Sequence, residues 1–338
     1  AVTGITAGSK VYDGTTGATV STAGAAFAGM VNGDSLNATA SGAFADKNAA
    51  LGKAVAISDI TLGGADAGNY TLVSSTASTT ADISRAAINA VTGITAGGKV
   101  YDGTTGATVS TAGAAFAGMV NGDSLNATAS GAFANKNAAL GKTVAISDIT
   151  LGGADAGNYT LVTSTASTTA DISRATINTV SGITAGSKVY DGSSGATVNT
   201  NAALFAGMVA GDSLNASASG AFADKNAATG KVVNVSGITL GGFDAGNYTL
   251  ANNTASTTAD ISRVTINTVT GITANSKVYD GTIGATVNTG GAAFAGMVAG
   301  DSLNASASGA FADKNAALGK TVAVNGITLG GADAGNYT

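Results

Sequence analysis

The chain repeats itself. The pentapeptide KVYDG sets its tyrosine at Tyr12, Tyr101, Tyr190 and Tyr279, in even steps of 89 residues. The block GNYT does the same with Tyr70, Tyr159, Tyr248 and Tyr337, and GDSLNA begins at Gly33, Gly122, Gly211 and Gly300. DISR begins at Asp82, Asp171 and Asp260 and does not recur. Residues 1–89 differ from 90–178 at five positions: Ser9/Gly98, Asp46/Asn135, Ala54/Thr143, Ser74/Thr163 and Ala87/Thr176. Such near-identity means duplication of one unit, and one task performed four times. The period is too long for a solenoid coil of roughly 20–45 residues and approaches the ~100 residues of a β-sandwich. The expectation is a string of small domains with few contacts between them: residues 1–85, 86–174, 175–263 and 264–338. The fourth lacks a counterpart of residues 72–89, and with it a final strand.

The alphabet is narrow. The 338 residues include 50 Gly but no Cys, His, Pro or Trp, and every acidic residue is Asp. Without His or Cys there is no Ser-His-Asp or Cys-His nucleophile pair, no N/S zinc site and no disulfide, so an enzyme is not expected. A net charge of −5 argues against nucleic acid, which needs a basic patch. Residues 14–33, GTTGATVSTAGAAFAGMVNG, are uncharged and long enough to span a bilayer, but too polar to insert well. The opening AVTGITAGSK has neither the basic nor the apolar region of a signal peptide.

Within one unit the signals favour strands. Gly and β-branched residues are frequent and good helix formers scarce. In SLNATASGAF, Leu36, Ala38, Ala40 and Phe44 alternate with Asn37, Thr39 and Ser41, the period of a half-buried strand. Further strands are expected at 10–12, 18–22, 54–57, 60–62, 70–73, 77–83 and 88–94, with a short helical turn at 24–30. Asp66-Ala67-Gly68-Asn69-Tyr70 resembles a tyrosine corner, whose hydroxyl bonds back to a loop backbone. The predicted fold is therefore all-β, a tandem array of small immunoglobulin-like β-sandwich domains. The eight tyrosines of KVYDG and GNYT are its structural anchors, with Lys10 and Lys47 guarding sheet edges.

The ordered series KVYDGTT, GDSL, AFADKNA, ITLGGADAGNYTL and ADISR resembles the YDG-type repeat of large bacterial surface proteins, filamentous-haemagglutinin-like adhesins among them. The resemblance spans all four copies. It implies a secreted, all-β, stalk-building module, usually in tandem, with no catalytic residues to carry over. Family members commonly place Pro after the final strand, where this chain has Arg85, Arg174 and Arg263.

Two constellations compete with a purely structural reading. GDSL spells the nucleophile block of a serine esterase family, but Ser35, Ser124, Ser213 and Ser302 have no His to activate them. Asp13, Asp34, Asp66 and Asn69 recur in Gly-rich loops and have the oxygen chemistry of a calcium site. Asx turns explain the same residues without a metal, so calcium is the one cofactor to consider. Asn37 and Asn69 also head Asn-x-Thr sequons. The sequence points to a structural segment of an extracellular or cell-surface bacterial fibre or adhesin stalk, a spacer serving surface attachment or biofilm. The alternatives are a repeated glycan- or cell-binding module and a filament subunit using strand donation. The expected partners are neighbouring repeats, other copies of the chain, and a cell-surface or matrix glycan.

Overall fold

A computed structural model describes all 338 residues. The protein is all-β, broken only by four single 3₁₀ turns. It divides into two compact units, Ala1–Ser173 and Arg174–Thr338, each holding two repeats.

The first repeat shows the plan. Its strands are β1 (Val2–Thr3), β2 (Thr6–Ala7), β3 (Lys10–Val11), β4 (Gly17–Ala18), β5 (Val20–Ser21), β6 (Ala26–Phe27), β7 (Asn37–Phe44), β8 (Ala50–Gly63) and β9 (Ala77–Ser84). Five of them form one sheet in the order β3-β9-β8-β7-β4. The β3–β9 pair is parallel and the rest are antiparallel. Two antiparallel ribbons, β1–β6 and β2–β5, complete the repeat. In the second repeat a further strand, Ala86–Ile88, runs parallel to Tyr159–Leu161. Only Arg85 separates it from the end of β9.

The sheet follows from the alternation in the sequence. Ala38 and Phe44 of β7 are buried while Asn37, Thr39 and Ser41 are exposed, as the pattern requires. Residues 54–57 and 60–62 prove to be one strand of 14 residues. Val55 and Ile57 are buried on odd positions and Ile60 on an even one, so the strand must change phase between them. It does so by a bulge: Thr39 pairs with Thr61 but Ser41 pairs with Ser58, which leaves an extra residue on β8. At the bulge Asp59 takes a φ of 52°. Val55, Ile57, Ile60 and Ile83 are 3% exposed or less, each contributing about 1.5–3 kcal/mol by burial.

Several expectations are corrected. Residues 24–30 form no helical turn, because β6 pairs with β1 through Val2 and Phe27. Residues 88–94 split into the tail of Ala86–Ile88 and a separate strand, Ala90–Thr92. Residues 70–73 form no strand in the first repeat, and their counterpart Tyr159–Leu161 becomes one where Ala86–Ile88 lies beside it. Parallel pairing and one five-stranded sheet with short ribbons are what each complete repeat displays.

Candidate functional site

The polar residues that recur in every repeat meet where one repeat contacts the next within a unit. Asp123 lies at the centre. It is the aspartate of the GDSL block of the second repeat, at a turn where its N–H donates to the Val120 carbonyl at 3.2 Å. Its side chain is 2% exposed. Tyr12 of the first repeat and Tyr159 of the second both donate their hydroxyls to Asp123 Oδ2, at 2.8 and 2.6 Å. Lys47 of the first repeat donates to Asp123 Oδ1 at 3.0 Å and lies 3.5 Å from Asp155 Oδ1. The two tyrosine rings pack edge to face with centroids 5.5 Å apart.

A second contact surrounds this centre. The Ala49 N–H donates to Asn158 Oδ1 at 2.9 Å, and Asn158 Nδ2 donates to Asn48 Oδ1 at 3.3 Å. Asp155 Oδ2 accepts the Ser124 N–H at 2.9 Å, which ties the loop carrying Asn158 to the loop carrying Asp123. Asn158 is 4% exposed, and no buried side-chain N or O is left without a partner. A close backbone approach supports this loop pair: Gly153 has φ +104°, and a Cβ there would lie 2.5 Å from the Ser124 carbonyl oxygen.

The second unit repeats this arrangement. Tyr190 and Tyr337 donate to Asp301 Oδ2 at 2.7 and 2.6 Å, and Lys225 donates to Oδ1 at 2.9 Å. The Ala227 N–H donates to Asn336 Oδ1 at 2.8 Å. The Tyr190 and Tyr337 centroids are 5.7 Å apart. The arrangement is thus a clasp with two complementary halves. A KVYDG tyrosine and an AFADKN lysine and asparagine form one half; a GDSL aspartate and the Asp, Asn and Tyr of DAGNY form the other.

The electrostatics follow from this crowding. Burial pushes the Asp123 carboxyl up, but hydrogen bonds from Tyr159, Lys47 and Tyr12 outweigh it and hold it below the ordinary carboxylate value. Asp301 behaves alike. Burial and then the Asp123 carboxylate push the Tyr159 hydroxyl up to about 12. The hydrogen bond to Asp123, then that to Tyr12, raises the Lys47 ammonium.

The tyrosines therefore anchor junctions more than single repeats. Tyr12 and Tyr190, which donate across the two junctions, are 3% and 2% exposed. Tyr159 and Tyr337, on the other side of the same junctions, are each 3% exposed, and Tyr70 is half-buried. The expected tyrosine corner is partly realised. The Tyr70 hydroxyl accepts the Val31 N–H at 2.9 Å, but it reaches back to a distant loop and donates to Asp34 Oδ2 at 2.5 Å. Tyr101 and Tyr248 are each 3% exposed. Lys47 is no edge guard; it is the cation of the clasp.

The four candidate calcium ligands have these places. Asp13 accepts from Lys10 Nζ at 2.8 Å and from the Thr15 N–H at 2.9 Å. The Lys10 hydrogen bond, followed by those from Thr15, lowers its carboxyl to about 2. Asp34 accepts from Tyr70, and Asp66 Oδ2 accepts the Ser35 N–H at 2.8 Å. Asn69 closes the 3₁₀ turn Ala67–Asn69. Asp34, Asp66 and Asn69 are the first repeat's counterparts of Asp123, Asp155 and Asn158, which form a clasp half in the next repeat. No three acidic side chains are grouped to hold a metal ion. Ser35 likewise serves through its backbone, as the donor to Asp66.

The family model of the YDG domain matches the chain four times, over residues 1–80, 85–169, 174–258 and 264–338. The chain belongs to the YDG domain family. No curated protein and no solved structure matched it. The YDG tripeptide itself has a double role in this frame. In the first repeat its tyrosine reaches the following repeat, and its aspartate closes the local turn with Lys10.

Proposed function

We propose that this array of YDG domains is a structural segment of an extracellular bacterial fibre or adhesin stalk, acting as a spacer in surface attachment or biofilm. One observation carries the reading. The same Tyr–Asp–Lys clasp, its tyrosines and aspartate buried, joins successive repeats in both units, so the recurring polar residues are spent on holding repeat to repeat. Nothing among them forms a nucleophile with a base. On this reading the repeats are small all-β domains in series that set a distance, without enzymatic activity, nucleic acid or membrane insertion.

Deleting residues 86–174 tests it. A spacer shortens by one repeat, measured by small-angle scattering, and stays folded. A glycan- or cell-binding array instead loses avidity stepwise with copy number in a glycan or cell-binding assay. Binding of the intact chain that falls in this way would replace the spacer reading. An unfolded deletion product would also defeat it.

A further inference from the structure

The two units differ by one residue in the turn that carries the clasp carboxylate. In the second repeat the turn is Val120-Asn121-Gly122-Asp123, and in the fourth it is Val298-Ala299-Gly300-Asp301. Both are closed by the same bond, from the aspartate N–H to the valine carbonyl at 3.2 Å. Glycine suits the third position, where φ is +92° in one turn and +91° in the other. One hydroxyl grips each turn at both ends. The Val120 N–H donates to Tyr159 Oη at 2.9 Å, and Tyr159 donates to Asp123 Oδ2 at 2.6 Å. Val120 also packs across the junction, since a Cβ on Gly14 would lie 2.9 Å from Val120 Cγ1. In the second unit the Val298 N–H donates to Tyr337 Oη at 2.9 Å, and Val298 Cγ1 faces Gly192 at the same distance.

Asn121 and Gly122 are exposed, and neither the Asn121 side chain nor the Gly122 N–H is engaged in a hydrogen bond. With no Cβ on Gly122, little obstructs its nitrogen on the way to the side-chain amide carbon of Asn121. We propose that Asn121 is a site of spontaneous covalent modification that loosens the junction of the first unit. The Gly122 nitrogen attacks Asn121 Cγ. An N–Cγ bond forms, the Cγ–Nδ2 bond breaks, and Nδ2 leaves as ammonia with the proton from the Gly122 amide. The cyclic imide then takes up one water. Opening at one carbonyl gives aspartate, and opening at the other gives isoaspartate, whose main chain runs through Cγ. No electrons are exchanged.

Both products act on the clasp. Each places a new carboxylate two positions before Asp123, like charge beside like charge. Isoaspartate also adds a methylene to the main chain between Val120 and Asp123, the two residues that Tyr159 holds at a fixed spacing. The second unit cannot follow, because Ala299 has no amide to lose. Asn32-Gly33 stands in the same kind of turn in the first repeat, where Tyr70 grips Val31 and Asp34, and reacts likewise. Asn325-Gly326 lies instead within the strand Val322–Gly330, where Asn325 is paired with Ser308. One unit thus holds a junction with a chemical lifetime, and the other a junction without one. This assignment stands apart from the spacer reading, because the reaction needs only the turn.

The test ages the intact chain in mildly alkaline buffer beside an Asn121→Ala variant, which gives the first unit the residue that the second has at Ala299. Peptide mapping by mass spectrometry should find aspartate and isoaspartate at position 121. Amide exchange at Val120, and at Ala49, whose N–H donates to Asn158, should then quicken about tenfold. Exchange at their counterparts Val298 and Ala227 should stay as it was. The aged Asn121→Ala chain should keep slow exchange at all four. Three results would each overturn the proposal: Asn121 intact after the free peptide AGMVNGDSL has fully converted, unchanged exchange at Val120 and Ala49 once position 121 has reacted, or equal quickening in the aged Asn121→Ala chain.

Discussion

Tyr12 and Tyr159, in successive repeats, donate their hydroxyls to one and the same oxygen, Asp123 Oδ2. A carboxylate that gathers donors from both sides of a junction links folding of the second repeat's loop to docking of the first. The junction is consequently a place where substitutions in one repeat are felt in another.

Tyr159→Ala should cost about 3–5 kcal/mol, the range for a buried aromatic. Tyr70→Ala should cost clearly less, because Tyr70 is only half-buried and makes no ring contact of the kind Tyr159 makes with Tyr12. Chemical denaturation of both variants decides the point. Equal losses would return the tyrosine to the role of a single-repeat anchor.

Asp123→Asn should destabilise by about 2–3 kcal/mol, the scale of hydrogen bonds to a charged group. The amide loses the charge facing Lys47, and the one oxygen it keeps cannot serve both the tyrosines and Lys47, which use separate oxygens of the carboxylate. Asp34→Asn, where Tyr70 and no second tyrosine donates to the carboxylate, should cost about 1 kcal/mol. A double-mutant cycle of Asp123→Asn with Lys47→Met should show coupling. Strict additivity would mean that the ion pair contributes nothing.

The clasp should loosen at both ends of the pH scale. The Asp123 carboxyl is held below its ordinary value when folded. Its contribution is therefore complete above about pH 4 and is lost as pH falls through the lower folded value. The Tyr159 hydroxyl is raised to about 12. Its contribution is complete below about pH 10 and is lost as pH rises towards 12. Melting temperature measured across pH should form a plateau bounded by these two declines. Asp123→Asn together with Asp301→Asn should make the acid one shallower, leaving the part that Asp13 and its counterparts supply.

Asp59 and Asp148 sit at φ 52° and 54°, while Gly237 and Gly326 occupy the same bulge in the later repeats at 63° and 61°. A left-handed residue with a Cβ costs roughly 1–2 kcal/mol, and the extra freedom of an unfolded glycine offsets about 0.5–1 kcal/mol. Asp59→Gly should thus be neutral or stabilising by up to about 1 kcal/mol. Gly237→Val should be destabilising, since β-branched residues fit this conformation worst. Gly153→Ala should be the most damaging of these changes, at about 3 kcal/mol, because its Cβ would collide with the Ser124 carbonyl. Thermal melts of the single variants rank them.

Much of one repeat was legible in the sequence, and little of the junction. The alternation through Ala38–Phe44 showed its face because a strand's side chains depend only on neighbours two positions away. The phase change at Asp59 hid the continuity of β8, since a bulge interrupts the pattern without ending the strand. Ala26 and Phe27 lie in a stretch that reads locally as a helical turn, because their pairing with Val2 and Thr3 is long-range. Lys47 and Asp34 read in the sequence as an edge guard and a calcium ligand. Their chemistry was visible, but their partners lie one period away. Near-identical copies also repeat every residue, so recurrence alone could not separate the clasp from its surroundings. The missing signal was complementarity: a cation and a phenol at one end of the unit, and carboxylates at the other.

Arg85 is the sole residue between the last strand of the first repeat and the first strand of the second. A joint that short leaves no slack. When the chain is pulled, tension passes from β9 through one peptide step into Ala86–Ile88, which is held against Tyr159–Leu161 by parallel pairing. The strain then reaches the bonds around Asp123 before any linker can pay out length. A pair of repeats should accordingly yield in one abrupt extension rather than creep, and the force needed should track the integrity of a single carboxylate.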